Sequence, residues 1–284
     1  MEVVPVIDLK DSVVARARLG DRASYQPIET PLSRTSKPLD VVAGLLSVHP
    51  FRTLYVADLD AIEGRGNAGA ILDDIAAAFP GLELWVDNGC SDLAAAHSLL
   101  RRMQRPPAPP QQSGGGGPPK AVEGANDGRS GHVRPLHHAS HGPPPPSHAT
   151  GEESRPSLAS LVLGSESQRD IELLRALHDN PRIILSLDFR GDRFLGPQEL
   201  LERAELWPRR IIVMTLARVG SGVGPDFDRY KAIRARAGER AIYLAGGLRD
   251  ANDLAAVRSS GAAGILVASA LHDGRIKAAD LMSV

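Results

Sequence analysis

The chain has 284 residues, 42% of them hydrophobic, which is enough to bury a substantial core in one large domain or two small ones. A formal net charge of -1 gives no strong electrostatic case for nucleic acid or an anionic membrane surface as partner. The single cysteine, Cys90, excludes an intramolecular disulfide, and no apolar run approaches the roughly 20 residues that span a bilayer. With no charged-then-apolar leader before the first strand, the sequence predicts a cytoplasmic protein.

The first candidate strand lies almost at the start of the chain and ends in an acid. Residues 3–7 form a short apolar run that leads directly into Asp8. A run this short is typical of a strand buried on both faces in a parallel sheet. A second run of the same design, residues 183–187, ends in Asp188. Because α/β enzymes place their chemistry at the C-terminal ends of strands, we expect the two carboxylates to face one another across the mouth of a closed barrel.

Strand-like and helix-like segments alternate up to about Met103. Helical spacing at residues 39–46 precedes a second strand at 54–60, on which Asp58 and Asp60 are expected to share one face. Helical spacing then returns at residues 71–79, followed by a third strand at 82–86 and a third helix that begins near Ser91 or Asp92.

The alternation is interrupted between residues 104 and 156. This stretch is rich in Gly, Pro, Ser and His, with homopolymer runs at 114–117 and 143–146. Its apolar content is too low to offset the entropy lost on ordering, which predicts a disordered insertion. Its histidines lack regular spacing and a scaffold, so we expect no more than weak, adventitious metal binding by them. They are His132, His137, His138, His141 and His148.

Beyond the insertion the alternation resumes. The eight predicted strands and eight helical segments occupy about 230 residues outside the insertion, the usual size of a (β/α)8 barrel. The sequence therefore predicts a single α/β TIM barrel with an insertion between helix 3 and strand 4. The first part of the barrel covers residues 1–103, the insertion 104–156 and the remainder of the barrel 157–284. The later strands are expected at 158–163, 182–188, 210–215, 241–245 and 264–267.

Paired carboxylates on opposite strands suit proton transfer on a sugar phosphate, where one group removes a proton from carbon and the other donates to the ring oxygen. The alternative is that one or both acids form salt bridges or cap a helix, since Lys10 and Arg190 lie close to them in sequence. Thr215, at the end of strand six, could position a substrate hydroxyl or serve only as a β-branched strand residue.

A Gly-Gly pair at residues 246 and 247 follows the seventh predicted strand directly. Glycines there leave backbone N–H groups free to approach an oxyanion, and the next helix adds its positive N-terminal end. The alternative is a tight turn without a ligand. At this position in a barrel the pattern favours phosphate binding.

The sequence resembles the ProFAR isomerases of histidine biosynthesis. The resemblance rests on Val-Ile-Asp-Leu-Lys at residues 6–10, Val-Ala-Asp-Leu-Asp at 56–60, Leu-Ser-Leu-Asp at 185–188, Thr215, and Ala-Gly-Gly-Leu-Arg at 245–249. It implies an Amadori rearrangement of an aminoaldose to an aminoketose, without cofactor, on a substrate with two phosphates. It further implies Asp8 as general base, Asp188 as general acid and Thr215 as a substrate-orienting residue. The remaining residues expected at the substrate or its phosphates are Lys10, Asn88, Gly89, Gly164, Ser165, Gly222, Gly246, Gly247, Ala268 and Ser269.

Three loops depart from the isomerase pattern. Asn88-Gly89, preceded by the acid Asp87, stands where the family has a glycine pair after strand three. An extra negative charge beside a phosphate is unfavourable unless it is paired. The loop at residues 220–222 lacks the Asp-Gly-Thr turn of the family, and Ala268-Ser269 replaces its Gly-Arg pair. These departures, together with Tyr-Val-Ala-Asp-Leu-Asp-Ala-Ile at residues 55–62, resemble the ProFAR-isomerase-related proteins of methanogens and methylotrophs. That group is associated with tetrahydromethanopterin- and methanofuran-dependent one-carbon metabolism.

Three hypotheses follow for the function. The first is a phosphosugar aldose-ketose isomerase that has diverged from histidine biosynthesis. The second is an enzyme of one-carbon cofactor assembly that acts on a phosphorylated precursor, and the third is a non-catalytic barrel that binds a phosphorylated ligand or a partner protein. We expect a phosphorylated small molecule as ligand, neither nucleic acid nor membrane as partner, and no cofactor or resident metal. A protein partner at the insertion is left open.

Overall fold

The computed structural model describes residues 1–102 and 159–282, which belong to one compact unit. Eight parallel strands pair in sequence order, and the last pairs with the first to close the barrel. The barrel strands are β1 (Glu2–Lys10), β3 (Thr53–Asp58), β4 (Glu83–Asp87), β5 (Ala159–Gly164), β6 (Ile183–Arg190), β8 (Arg210–Thr215), β9 (Ala241–Ala245) and β10 (Gly264–Val267). The predicted TIM barrel is confirmed.

Two short strands extend the sheet at the C-terminal mouth and were not predicted. β2 (Val13–Ala15) pairs antiparallel with β1, and β7 (Arg193–Leu195) pairs antiparallel with β6. Each forms a hairpin that continues its barrel strand past the barrel rim. The helices are α1 (Pro38–Val48), α2 (Leu59–Ile62), α3 (Gly69–Ala78), α4 (Leu93–Arg102), α5 (Glu172–Leu177), α6 (Gln198–Glu202), α7 (Phe227–Ala237), α8 (Ala251–Ser259), α9 (Ser269–His272) and α10 (Ala278–Leu281).

Side chains alternate across the barrel wall, because successive residues of a strand point to opposite faces. Outward residues such as Ile7 and Leu54 pack with Leu45 of α1 in the layer between sheet and helices. Inward residues, including Trp85 and Tyr243, fill the barrel interior. The rings of Trp85 and Tyr243 meet edge to face with centroids 4.8 Å apart. The interior is therefore a packed core, and open space is left at its C-terminal mouth.

A polar network closes the opposite, N-terminal end of the barrel interior. Arg210 on β8 forms an ion pair of 2.9 Å with Glu83 on β4, and Ser160 Oγ donates to the same carboxylate at 2.7 Å. The Arg210 guanidinium also lies 5.2 Å from the Trp85 ring centroid. Because Glu83, Trp85 and Asp87 share the inward face of β4, this strand links the network to the mouth.

The acids predicted on strand two are separated in the structure. Asp58 ends β3 and caps α2, accepting from Ala61 N–H at 3.1 Å and Ala68 N–H at 2.7 Å. Asp60 lies in α2 and forms an ion pair with Arg65. The prediction that both share one strand face is wrong, because the strand ends at Asp58 and the chain turns at once into a helix.

The predicted insertion and its histidines lie outside the described residues. The described chain stops in α4 and resumes in β5, which is the connection where the insertion was predicted. Within the described part, every helix falls short of the length and apolar content needed to cross a bilayer.

Candidate active site

A large pocket opens at the C-terminal ends of the barrel strands. It holds about 930 Å³ of space, part of it open to solvent. One wall is formed by the ends of β1 to β6, and the other by β8 to β10 and the loops that follow them. The lining includes seven of the predicted site residues, namely Asp8, Asp188, Gly222, Gly246, Gly247, Ala268 and Ser269.

Asp8 presents a free carboxylate to this pocket. It shares the inward face of β1 with Val4 and Val6, at the two-residue period of a strand. The side chain is partly buried and accepts no hydrogen bond from any described residue. Burial raises the pKa of Asp8 to about 7, while the nearby Arg22 cation opposes this rise and the Asp87 carboxylate adds to it. Asp8 can therefore exchange a proton near neutral pH.

Asp188, by contrast, is held by several neighbours. Ser186 Oγ donates to its Oδ1 at 2.6 Å and the Glu166 N–H to its Oδ2 at 3.2 Å. Burial raises the pKa of Asp188 to about 7, the Glu166 carboxylate adds to the rise, and the Ser186 hydrogen bond opposes it. Ser165 Oγ lies 3.1 Å from Oδ2 and 2.7 Å from Leu195 O. Because the Ser165 hydroxyl has one proton, it can donate a hydrogen bond to only one of these oxygens at a time. When it donates to Leu195 O, a protonated Asp188 can donate a hydrogen bond to Ser165 Oγ.

Asp87 is a third inward-facing carboxylate, at the end of β4. Tyr55 OH donates to its Oδ2 and the Gly89 N–H to its Oδ1, both at 3.1 Å. Burial raises the pKa of Asp87 to about 6, and the Gly89 hydrogen bond opposes the rise. Gly164 separates Asp87 from Asp188, since a Cβ there would lie 3.2 Å from Asp87 Oδ2 and 3.5 Å from Asp188 Oδ2. The absence of a side chain at Gly164 lets both acids approach the pocket.

Arg22 brings a cation to these acids. It lies in a 3-10 turn, Arg22–Ser24, and forms an ion pair with Glu166 from the loop after β5. Lys10 Nζ donates to Arg22 O at 2.9 Å and so holds the turn at the pocket mouth. Burial disfavours the charged guanidinium, but Glu166 and then Asp87 outweigh this and raise the pKa of Arg22. The guanidinium therefore stays charged beside the carboxylates.

Glycines and small residues form the wall opposite the acids. Gly246 and Gly247 have φ of 98° and 91°, which residues with a Cβ rarely adopt. A Cβ on Gly247 would lie only 2.2 Å from Gly224 O, so the close approach of these two loops requires glycine. Gly222 and the Ala268-Ser269 pair continue the same wall. Backbone N–H groups beside open space are suited to an oxyanion such as phosphate.

Six predicted residues lie outside the pocket lining. Thr215 Oγ1 donates to Asp226 Oδ2 at 3.2 Å behind the wall, and the neighbouring Met214 faces the pocket instead. The Asn88 Oδ1 is buried without a hydrogen-bond donor among the described residues. The roles predicted for these residues stay predictions. The six are Lys10, Asn88, Gly89, Gly164, Ser165 and Thr215.

Sequence reasoning did not single out Arg22, Tyr55 or Glu166, all of which line the pocket. Tyr55 lies on the inward face of β3, so strand alternation counted back from the end of β3 could have found it. Arg22 and Glu166 lie in loops, where no periodicity predicts orientation. Among the described residues, no group of three or more His, Cys, Asp or Glu side chains is arranged to hold a metal ion.

The fold and the pocket define a (β/α)8 barrel with a cluster of titratable groups at its C-terminal mouth. The chain belongs to the histidine biosynthesis protein family, whose model matches residues 2–105 and 156–277. The predicted membership of the ProFAR isomerase superfamily is confirmed.

Three relatives illustrate the similarity. An isomerase of Xylella fastidiosa, named for 1-(5-phosphoribosyl)-5-((5-phosphoribosylamino)methylideneamino) imidazole-4-carboxamide (ProFAR), is 37% identical over 138 residues, 42% of this chain and 51% of that protein. The isomerase of the same name from Deinococcus radiodurans is 23% identical over 292 residues, 97% of this chain and 95% of that protein. An uncharacterised protein of Methanocaldococcus jannaschii is 23% identical over 276 residues, 96% of this chain and 94% of that protein.

Proposed function

We propose that the chain is a phosphosugar aldose-ketose isomerase of the Amadori type. The observation that carries the proposal is that Asp8 and Asp188, from strands across the barrel, line one pocket, with both pKa values raised to about 7. A general acid and a general base are most effective when their pKa values lie near the operating pH. The glycines that line the opposite wall, Gly222, Gly246 and Gly247, support the proposal that the phosphate of the sugar binds there.

The reaction divides between the two acids as follows. Protonated Asp188 donates to the ring oxygen as the bond from that oxygen to the first carbon breaks, and the nitrogen lone pair forms an iminium. Ionised Asp8 then removes the proton from the second carbon, which yields an enaminol. Asp8 returns this proton to the first carbon while Asp188 takes the hydroxyl proton, so both acids regain their starting states. The Ser165 and Ser186 hydroxyls hold Asp188 in place throughout.

The test is turnover of two aminoaldoses by the purified protein. One is ProFAR, with two phosphates, and the other is the single-phosphate ribosylamine that forms from aniline and ribose 5-phosphate. We expect turnover of at least one of them, reduced by about 10²- to 10⁴-fold in Asp8→Asn and in Asp188→Asn.

Glu83→Gln is the matched control, because it removes a carboxylate from the same barrel interior at the opposite end. Turnover of neither compound would refute the isomerase proposal. Wild-type rates in both Asp variants would refute the assignment of the acids.

The one-carbon hypothesis stays a prediction with its own test. Deletion of the gene should then abolish growth on one-carbon compounds and leave histidine prototrophy intact, and normal growth would count against it. The non-catalytic hypothesis predicts that Asp8→Asn leaves the cellular phenotype unchanged. Loss of function in that variant would exclude a binding-only barrel.

A further inference from the structure

The two walls of the pocket differ in charge. Every carboxylate that lines the pocket comes from β1, β4, β6 or the loop after β5: Asp8, Asp87, Asp188 and Glu166. The wall of β8 to β10 has glycines, small residues and apolar residues in its lining, together with the cation Arg275. Among the described residues, the pocket is therefore acidic on one side and has no carboxylate in its lining on the other.

The cations at the pocket do not neutralise its acidic side. Arg22 is engaged by Glu166 in an ion pair whose two side chains are only 24% and 21% exposed. Arg275, on the other side, donates to Arg249 O at 2.7 Å and contacts Asp273 at 3.3 Å. Once Arg22 and Glu166 are paired, Asp8 and Asp87 have no cation of their own among the described residues, and Asp188 is the protonated acid of the proposed reaction.

We propose that Asp87 is a specificity-determining residue, an inference that rests on the proposed function for its phosphosugar ligand. Asp87 favours a ligand that carries one phosphate, bound at the wall of Gly222, Gly246 and Gly247, and a protonated amine, bound at the opposite, acidic wall. Asp87 is 8% exposed, so a ligand group beside it meets a charge that water screens poorly. A cation is attracted there, and a phosphate is repelled.

This specificity differs from that of the named relatives. The substrate after which the Xylella and Deinococcus isomerases are named carries two phosphoribosyl groups and so two phosphates. A second phosphate at the acidic wall would lie beside the ionised Asp87 carboxylate, and two like charges that are both desolvated repel each other strongly. A protonated amine there can instead donate a charge-assisted hydrogen bond to the Asp87 carboxylate.

The experiment compares three hexose phosphates by isothermal titration calorimetry at neutral pH. Glucosamine 6-phosphate carries one phosphate and an amine, glucose 6-phosphate has a hydroxyl in place of the amine, and glucose 1,6-bisphosphate carries a second phosphate. We expect the wild-type protein to bind glucosamine 6-phosphate at least about tenfold more tightly than glucose 6-phosphate. The bisphosphate should bind more weakly than either.

Asp87→Asn should reduce the amine preference to about twofold and raise affinity for the bisphosphate about tenfold. Glu166→Gln is an independent second variant, which frees Arg22 and should also improve bisphosphate binding. Glu83→Gln removes an inward carboxylate from the far end of the same strand as Asp87, and should leave the ranking unchanged.

A wild-type preference for the bisphosphate, or an unchanged ranking in both Asp87→Asn and Glu166→Gln, would overturn the inference. These readouts need no turnover, so they separate it from the proposed function. If the protein isomerises ProFAR and prefers the bisphosphate, the isomerase assignment stands and the Asp87 inference is refuted. If it shows the expected ranking and turns over neither aminoaldose, the Asp87 inference stands and the isomerase assignment is refuted. Binding of none of the three sugars would overturn the inference and leave the proposed function to its own turnover test.

Discussion

Asp188→Asn should stabilise the fold at neutral pH. The folded state raises the pKa of Asp188 from 3.8 to about 7, chiefly because burial disfavours the anion. Between pH 4 and 7 the folded chain therefore retains a proton that the unfolded chain has lost. Stability conferred by this proton falls as pH rises through that window and is fully lost above about pH 7. An asparagine carries no titrating proton and removes the dependence.

The size of the effect follows from the shift. A rise of about three pKa units corresponds to about 4 kcal/mol at about 1.4 kcal/mol per unit, an upper limit because the neighbouring acids titrate together. The hydrogen bonds can survive the substitution. The asparagine oxygen can accept from the Glu166 N–H, and its NH₂ group can donate to Ser186 Oγ, whose hydroxyl rotates. We expect the variant to match wild type near pH 4 and to exceed it by up to about 4 kcal/mol at pH 8.

Urea unfolding of both proteins at intervals from pH 4 to pH 8 measures this difference. Asp253→Asn is the matched control, since Asp253 is equally buried but hydrogen-bonded by Arg249, which lowers its pKa. That variant should be less stable than wild type by a nearly constant amount from pH 4 to pH 8, because a pKa lowered from 3.8 places the pH dependence of the Asp253 contribution below this range. If Asp188→Asn were no more stable than wild type at pH 8, the idea that burial of this acid is unfavourable would be refuted.

Other perturbations test the remaining parts of the site. With Asp8 ionised and Asp188 protonated, both near pKa 7, kcat/KM should follow a narrow bell centred near pH 7, and a flat profile from pH 6 to 8 would contradict the acid-base pair. Gly247→Ala should lower phosphate affinity by tenfold or more, because its Cβ would meet a carbonyl oxygen at 2.2 Å. A Cβ at Gly222 would meet open space, so Gly222→Ala should cost only the backbone strain of about 1 kcal/mol in the free energy of unfolding. Its phosphate affinity, measured by titration calorimetry, should stay near that of wild type. Lys10→Met should raise KM several-fold with a smaller change in kcat, since its ammonium holds the turn at the pocket mouth and does not line the pocket; an unchanged KM would argue against that positioning role.

The barrel could be predicted from the sequence because short apolar runs and amphipathic segments alternate eight times. The same pattern fixes which end of each strand carries chemistry, which is why Asp8 and Asp188 could be placed at one mouth. The hairpins β2 and β7 escaped prediction because Val13–Ala15 and Arg193–Leu195 are too short for a periodic signal.

The direction of side chains at strand ends was harder to predict. Thr215 ends β8, but the residue of this strand end that faces the barrel interior is Met214. The threonine side chain therefore faces outward, where its hydroxyl donates to Asp226. A shift of one residue is enough to reverse the face. The pairing of Arg22 with Glu166 joins loops that are 144 residues apart in the sequence. It depends on tertiary structure that local patterns do not encode.

Residues 103–158 separate the two members of the acid pair along the sequence. Residues 1–102 contribute Asp8 and Asp87, and residues 159–282 contribute Asp188 and Glu166. The two pieces meet along two seams of main-chain hydrogen bonds, β4 with β5 and β1 with β10. Arg182, which directly precedes β6, donates to both Leu100 O and Ala159 O. The two described ends therefore lie close together at the N-terminal end of the barrel, away from the pocket. A protease cut between residues 102 and 159 would leave each fragment with one acid of the pair. Activity would then depend on the two fragments remaining associated through these strand pairings.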